Sequence, residues 1–133
     1  MYRPYPAGAS MTQLDSQFWH NPACSKSREA LGLLRARGVD IAVVLYLDAP
    51  PTVGTLREVM GMLGMKPRTL MRTGEADYLR FGLDDAALDD DALLAAMRQH
   101  PHLIERPIFV HGMRAVIGRP PERVLDLLDL ARG

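Results

Sequence analysis

Cys24 is the single cysteine of the chain, and its neighbours favour a reactive thiol over a buried, inert one. It follows the proline-containing turn His20-Asn-Pro-Ala and precedes Ser25 and Ser27, either of which could cap a helix. The free backbone N–H groups at the start of a helix stabilise a thiolate relative to a thiol. We therefore predict that Cys24 is a nucleophile at neutral pH.

The residues around Cys24 bring charge but no second thiol. Lys26, Arg28 and His20 each add positive charge or a hydrogen-bond donor, which lowers the pKa of a nearby thiol. Ser27 stands where a Cys-x-x-Cys protein has its resolving cysteine. A reduction carried out on Cys24 must therefore take its electrons from external thiols.

The hydrophobic pattern places Cys24 between a strand and a helix. Residues 16–19 are a short strand candidate, and the helix after Cys24 should run to about Arg37 and end at Gly38. The unbroken apolar run at residues 41–47 is typical of a strand that is covered on both faces. This part of the chain is predicted to be a β-α-β unit.

The remaining pattern predicts helices, then a hairpin, then a last helix. The first helical segment lies between Thr52 and Gly64, with Leu56, Val59, Met60 and Leu63 at helical spacing. Further segments at 67–71, 77–81 and 89–99 complete an inserted helical subdomain at about residues 52–100. Residues 107–110 and 114–117 flank Gly112 as an antiparallel hairpin, and a helix with Val124, Leu127, Leu128 and Ala131 on one face follows. An α/β mixed sheet with a reactive cysteine at its first strand-to-helix turn is a thioredoxin/glutaredoxin-like arrangement.

Three separated motifs point to one family. They are His20-Asn-Pro-Ala-Cys-Ser-Lys-Ser-Arg28, Arg106-Pro-Ile108 and Gly118-Arg-Pro-Pro-Glu122. With them the chain resembles the glutaredoxin-coupled arsenate reductases over about residues 18–130. The resemblance implies a glutaredoxin-like fold with an inserted helical subdomain, in which a cysteine attacks arsenate and three arginines hold the oxyanion.

Carried across by motif, the resemblance implies a role for five residues. The nucleophile is Cys24, the oxyanion ligands are Arg72, Arg106 and Arg119, and His20 takes the place of a histidine that helps to keep the thiol ionised. Arginine suits this task because its planar fork donates paired hydrogen bonds to an oxyanion and stays charged. In thioredoxin-like folds the proline before the hairpin is cis, so the bond from Arg106 to the next residue is expected to be cis.

The same resemblance implies the electron donors. Glutathione acts as a co-substrate and a glutaredoxin as a partner, and the chain would cycle through a mixed disulfide on Cys24. No bound cofactor is expected. The turn His100-Pro101-His102 is interpreted as a surface turn and not as a metal site, since no third ligand is near in the sequence.

Two alternatives stay open beside the arsenate reductase. One is a glutathione-linked thiol oxidoreductase that acts on another substrate, because the motif after the cysteine reads Ser25-Lys-Ser-Arg28 and not the commoner Gly-Thr-Ser-Arg. The other is an Spx-like regulator that binds RNA polymerase, although Ser27 removes the usual Cys-x-x-Cys switch. Reductases related to tyrosine phosphatases are excluded, because they need Cys-x5-Arg.

Composition limits the partners and the location. The 133 residues carry 16 basic and 16 acidic side chains, which argues against nucleic acid as a partner. No segment approaches the roughly 20 apolar residues of a membrane-spanning helix, and a lone cysteine suits a reducing cytoplasm. Residues 1–13 are expected to be a flexible leader before a single domain at 14–133, with Met11 as an alternative start.

Overall fold

A computed structural model describes residues 3–4 and 16–130 of the chain. The chain divides into two compact units. One comprises the described residues up to 49 and from 106 onward, and we name it the strand unit. The other is Pro50–Glu105, which we name the helical unit.

The strand unit contains a five-stranded mixed sheet. Its strands are β1 (Arg3–Pro4), β2 (Ser16–Trp19), β3 (Ala42–Val44), β4 (Ile108–His111) and β5 (Arg114–Ile117). Their order across the sheet is β1-β3-β2-β4-β5. The pairs β1–β3 and β2–β3 are parallel, whereas β2–β4 and β4–β5 are antiparallel. The predicted parallel pair and hairpin are confirmed.

The helices are α1 (Ser25–Ala36), α2 (Val53–Leu63), α3 (Pro67–Leu70), α4 (Ala76–Arg80), α5 (Asp90–Gln99) and α6 (Asp126–Leu130). In the strand unit, α1 and the segment Pro121–Leu125, a 3₁₀-helix that leads into α6, pack on the sheet. The core between them is formed by buried apolar side chains, including Phe18, Leu34, Val43, Phe109 and Val124. Burial of these side chains stabilises the strand unit.

Two boundaries in the strand unit differ from the sequence prediction. The strand predicted at 41–47 ends at Val44, because the Leu45 carbonyl accepts hydrogen bonds from the N–H groups of Asp48 and Ala49 and forms a turn. Tyr46 is nevertheless only 1% exposed, so the apolar run reflects burial beyond the end of the strand. The last helix starts as a 3₁₀-helix, and Ala131 lies outside the described residues.

Of the predicted leader, the structure describes only Arg3–Pro4, which pairs with β3. The rest of residues 1–13 lies outside the described residues, and the flexible leader stays a prediction.

The helical unit confirms the predicted helices. Thr52 caps α2 by accepting the Thr55 N–H at 3.1 Å, and Gly64 ends it with φ +66°. Asp89 caps α5 by accepting the Ala92 N–H at 2.9 Å. The buried core of the helical unit includes Leu56, Val59, Leu94 and Met97.

The sequence predicts that the helical unit is an insertion within a single domain, and this stays a prediction. Among the described residues, no helix has the length and apolar character needed to cross a membrane.

Candidate active site

Cys24 is itself the residue that begins α1. Its backbone is extended, with φ −95° and ψ 122°, and no side chain caps the helix. The prediction that Ser25 or Ser27 caps α1 is therefore wrong. The Cys24 N–H donates to the Asn21 carbonyl at 3.0 Å, and the Asn21 Oδ1 accepts the Ala23 N–H at 3.0 Å. These bonds close the turn that holds the sulfur at the start of the helix.

Ser27 is buried inside the first turn of α1 and is tied to the chain before Cys24. Its side chain is fully buried, and its Oγ accepts the Asn21 N–H at 3.0 Å. The same Oγ lies 2.7 Å from His20 Nδ1. Ser27 Oγ therefore links the backbone of Asn21 to the imidazole of His20.

His20 is held in its neutral form. Burial lowers the pKa of the His20 imidazole, and the positive charges of Arg35 and Arg28 lower it further. The ring is only 5% exposed. The neutral imidazole is therefore favoured at neutral pH, and the role of His20 in keeping the thiol ionised stays a prediction.

The environment of Cys24 favours the thiolate. Burial by itself raises the pKa of the Cys24 thiol, but the Ser27 N–H, the Arg106 guanidinium, the Lys26 N–H and the Arg119 guanidinium together outweigh it. The pKa therefore lies below its ordinary value, in the direction that the sequence predicts.

The charged side chains of Lys26 and Arg28 are engaged elsewhere. The Lys26 Nζ lies 4.0 Å from a Glu29 carboxylate oxygen, and Arg28 Nη1 donates to the Pro22 carbonyl at 2.8 Å. Arg28 thus braces the turn before Cys24, and the charge that acts on the sulfur comes from Arg106 and Arg119.

Arg106 and Arg119 converge on Cys24 from the two ends of the hairpin. Arg119 Nη2 donates to Cys24 Sγ at 3.7 Å, and Arg119 Nε donates to the Arg106 carbonyl at 2.7 Å. The Arg106–Pro107 bond is cis, as expected, and the Arg119–Pro120 bond, for which the sequence made no prediction, is cis as well. The structure therefore brings together Cys24, Arg106 and Arg119, three of the five predicted site residues. His20 lies nearby and is hydrogen-bonded to Ser27.

Arg72 belongs to the helical unit and is held there by local contacts. Its Nη1 lies 2.7 Å from a Glu75 carboxylate oxygen and donates to the His102 carbonyl at 3.3 Å. Its backbone N–H donates to the Leu103 carbonyl at 2.7 Å. The role of Arg72 as an oxyanion ligand stays a prediction.

The histidines of the predicted surface turn have their own contacts in the helical unit. His102 Nε2 lies 2.8 Å from Asp77 Oδ2, and the His100 ring stacks on Phe81 with centroids 4.2 Å apart. Within residues 3–4 and 16–130, no group of three or more His, Cys, Asp or Glu side chains is placed to hold a metal ion.

Asn21 and Gly118 have roles in the site that were not among the sequence predictions. Asn21 precedes a proline, which is a turn signal, and that signal could have identified it as the residue that closes the turn before Cys24. Gly118 appears in the sequence only as the first residue of the third motif. No sequence signal shows that its neighbours leave no space for a side chain.

A mixed sheet with a thiol at the first strand-to-helix turn, and a cis proline at the start of a hairpin, place the chain in the thioredoxin-like class. Within that class the chain belongs to the ArsC family, whose model matches residues 19–127. The fold class and the family inferred from the motifs are confirmed.

Similar proteins cover most of the chain. "Uncharacterized protein YfgD" of Escherichia coli K12 is 49% identical over 113 residues, which is 84% of this chain and 95% of that protein. An arsenate reductase of Neisseria meningitidis serogroup A is 46% identical over 84% of this chain and 97% of its own length. The solved structure of an arsenate reductase from Vibrio cholerae is 47% identical, with a TM-score of 0.81 over 84% of this chain and 95% of that one.

Proposed function

We propose that this chain is an arsenate reductase, in which Cys24 forms a covalent adduct with arsenate and external thiols complete the reduction to arsenite. The observation that carries the proposal is the contact of Arg119 Nη2 with Cys24 Sγ at 3.7 Å, beside a second guanidinium, that of Arg106, which also lowers the thiol pKa. A thiolate nucleophile stabilised by positive charge and the cations that can hold an oxyanion are thus at one place.

The geometry supports this function because arsenate and a thiolate repel each other. An oxyanion near Cys24 Sγ has to be held by fixed positive charge, and arginine forks do this with paired hydrogen bonds. The relatives named arsenate reductase, at 46% and 47% identity over 84% of this chain, support arsenate as the substrate.

The proposed reaction balances in two steps. In the first, the Cys24 thiolate forms an S–As bond with arsenate, and one arsenate oxygen leaves as water after protonation. In the second, a glutathione thiolate attacks the Cys24 sulfur, the S–As bond breaks, and its electron pair stays on arsenic, which is reduced from As(V) to As(III) and leaves as arsenite. The two sulfurs are oxidised to a mixed disulfide, which a glutaredoxin thiol then reduces.

Glutathione and glutaredoxin are proposed as the electron donors because the chain has one cysteine and Ser27 occupies the position of a resolving thiol. A pathway that consumes reduced glutathione requires a reducing compartment, so we place the protein in the cytoplasm.

The test is a coupled assay in which glutathione, a glutaredoxin and glutathione reductase link turnover to NADPH oxidation. We expect NADPH oxidation that depends on arsenate and stops when glutaredoxin is omitted, with phosphate as the matched oxyanion control. Intact-mass analysis after exposure to arsenate and glutathione should show glutathione on Cys24. Equal oxidation with and without arsenate would assign the protein to another substrate.

A further inference from the structure

Gly118 lies directly before Arg119, at a place where the structure leaves no space for a side chain. A Cβ built on Gly118 would lie 2.9 Å from Pro107 Cγ, 3.0 Å from Val124 Cγ1 and 3.5 Å from the Ala30 Cβ. The first two distances are shorter than ordinary carbon–carbon contacts of about 3.5–4.0 Å. Gly112 in the hairpin turn has a positive φ, but Gly118 does not. The property of glycine that matters at position 118 is therefore the lack of a side chain and not its backbone freedom.

Two hydrogen bonds accompany this close approach, and both join the two segments that carry the site arginines. The Gly118 N–H donates to the Pro107 carbonyl at 2.9 Å. One residue further, Arg119 Nε donates to the Arg106 carbonyl at 2.7 Å. These two hydrogen bonds therefore hold residues 118–119 next to residues 106–107.

This contact also fixes the direction of the Arg119 guanidinium. The same planar group donates from Nε to the Arg106 carbonyl and from Nη2 to Cys24 Sγ at 3.7 Å, and the two bonds together orient it toward the sulfur. A side chain on Gly118 would push its segment away from Pro107 and Val124, and the guanidinium would move with it.

We propose that Gly118 is a positioning residue for Cys24: because it has no side chain, Arg119 can lie against the Arg106 carbonyl and present its guanidinium to the sulfur. The consequence for arsenate turnover rests on the proposed function. The effect on the pKa of the Cys24 thiol does not depend on the proposed function. The positioning role of Gly118 and the arsenate reductase activity can therefore be disproved separately.

The test compares Gly118→Ala with Gly32→Ala, which adds the same methyl group in α1, where nothing lies within 4 Å of the new Cβ. The readout is the rate of Cys24 alkylation by iodoacetamide as a function of pH. We expect the midpoint to rise by about half a pH unit or more in Gly118→Ala, because a cation moves away from the thiolate. We expect kcat/KM for arsenate to fall about tenfold, since a displacement of about 1 Å at a reacting centre can cost more than that. Gly32→Ala should match the wild type in both measurements.

A second variant keeps the proposal open to refutation if Gly118→Ala does not fold. Gly118→Ala combined with Val124→Ala removes the methyl group of one of the two tight contacts, and we expect its alkylation midpoint to lie between those of the wild type and Gly118→Ala. If both variants fail to fold while Gly32→Ala folds, Gly118 serves the fold alone and the positioning role is rejected. A folded Gly118→Ala protein with the wild-type alkylation profile would also overturn it, even where arsenate is turned over. If the wild type reduces no arsenate, the alkylation experiment still decides the role of Gly118.

Discussion

In the strand unit Arg119 donates to a cysteine sulfur, whereas in the helical unit Arg68 and Arg98 donate to groups that hold the fold. Arg68 Nη1 donates to the Tyr78 hydroxyl at 2.7 Å, and Arg68 Nη2 donates to the Asp85 carbonyl at 3.0 Å. Arg98 Nη1 donates to the Pro50 carbonyl at 3.1 Å and to the Pro51 carbonyl at 3.0 Å. In both helical-unit residues the guanidinium binds carbonyl oxygens of neighbouring loops and so joins separate segments of the unit.

The comparison shows why residue type alone does not identify a site in this chain. Of the 16 basic residues two are lysines, so arginine is the general basic residue here. What distinguishes Arg106 and Arg119 is their effect on the Cys24 thiol. Arg72, with its carboxylate and carbonyl partners, has contacts of the kind seen at Arg68 and Arg98.

The largest effect is expected from Cys24→Ser. A serine hydroxyl keeps the shape of the side chain but is a far weaker nucleophile than a thiolate, so arsenate-dependent NADPH oxidation should disappear. Because Cys24 occupies the N-cap position of α1, where serine is favoured, the thermal unfolding midpoint should not fall below that of the wild type. Ser25→Ala, at the exposed neighbour, is the matched control and should keep turnover. Turnover that survives in Cys24→Ser would end the proposed mechanism.

An intermediate effect is expected when arginine is replaced by lysine in each unit. Arg106→Lys keeps the charge but loses the fork, and we expect kcat/KM for arsenate to fall about 10- to 100-fold, at about 1.4 kcal/mol per factor of ten. Arg68→Lys should instead lower the free energy of unfolding by about 1–2 kcal/mol, because lysine cannot keep the hydrogen bonds to Tyr78 and Asp85 together. Its kcat/KM should equal that of the wild type.

Steady-state kinetics and urea unfolding of the two lysine variants check this separation. If Arg68→Lys reduced turnover without loss of stability, or if Arg106→Lys only destabilised the protein, the contrast between the units would be wrong.

The smallest effect is expected from the pH dependence of stability that His20 causes. Burial, followed by the charges of Arg35 and Arg28, lowers the pKa of His20 in the folded protein. Below the ordinary pKa of about 6.5 the unfolded chain therefore binds a proton that the folded chain does not, and stability falls as pH drops, by up to about 1.4 kcal/mol per pH unit until the folded pKa is reached. Above pH 6.5 this contribution no longer changes.

Urea unfolding of the wild type and of His20→Asn between pH 5.5 and 7.5 measures that contribution. The asparagine Oδ1 can still accept the Ser27 hydroxyl but does not titrate, so the slope below about pH 6.5 should be shallower in the variant. Equal slopes would show that His20 is not held neutral by the fold.

Local sequence signals predicted most elements because they act over a few residues. Thr52 caps α2 and Gly64 ends it where the pattern placed them, whereas Asp89, predicted as the first residue of its helix, is the cap before α5. The prediction that β3 extends to residue 47 was wrong because Tyr46 is buried in a turn. A buried residue gives the same apolar signal in the sequence whether its backbone is in a strand or in a turn. The capping role of Ser27 was wrong because its hydroxyl has a better-placed partner in His20, seven residues earlier.

The site residues that belong to sequence motifs could be predicted. The features of the site that depend on packing could not. Cys24, Arg106 and Arg119 follow from three motifs and meet in the structure. The neutral state of His20 depends on its burial, which no single residue in the sequence specifies. The close fit of Gly118 to Pro107 and Val124 involves residues 11 and 6 positions away, which only the folded chain brings into contact.

The buried hydroxyl of Ser27 also restricts how this chain could change over evolution. Exchanging that one oxygen for sulfur would create the dithiol spacing of a self-sufficient redox protein, yet the new sulfur would be sealed from solvent and would be a poor replacement in the hydrogen bonds to Asn21 and His20. In this architecture, that single exchange would therefore not be enough to give the chain an accessible second thiol next to Cys24.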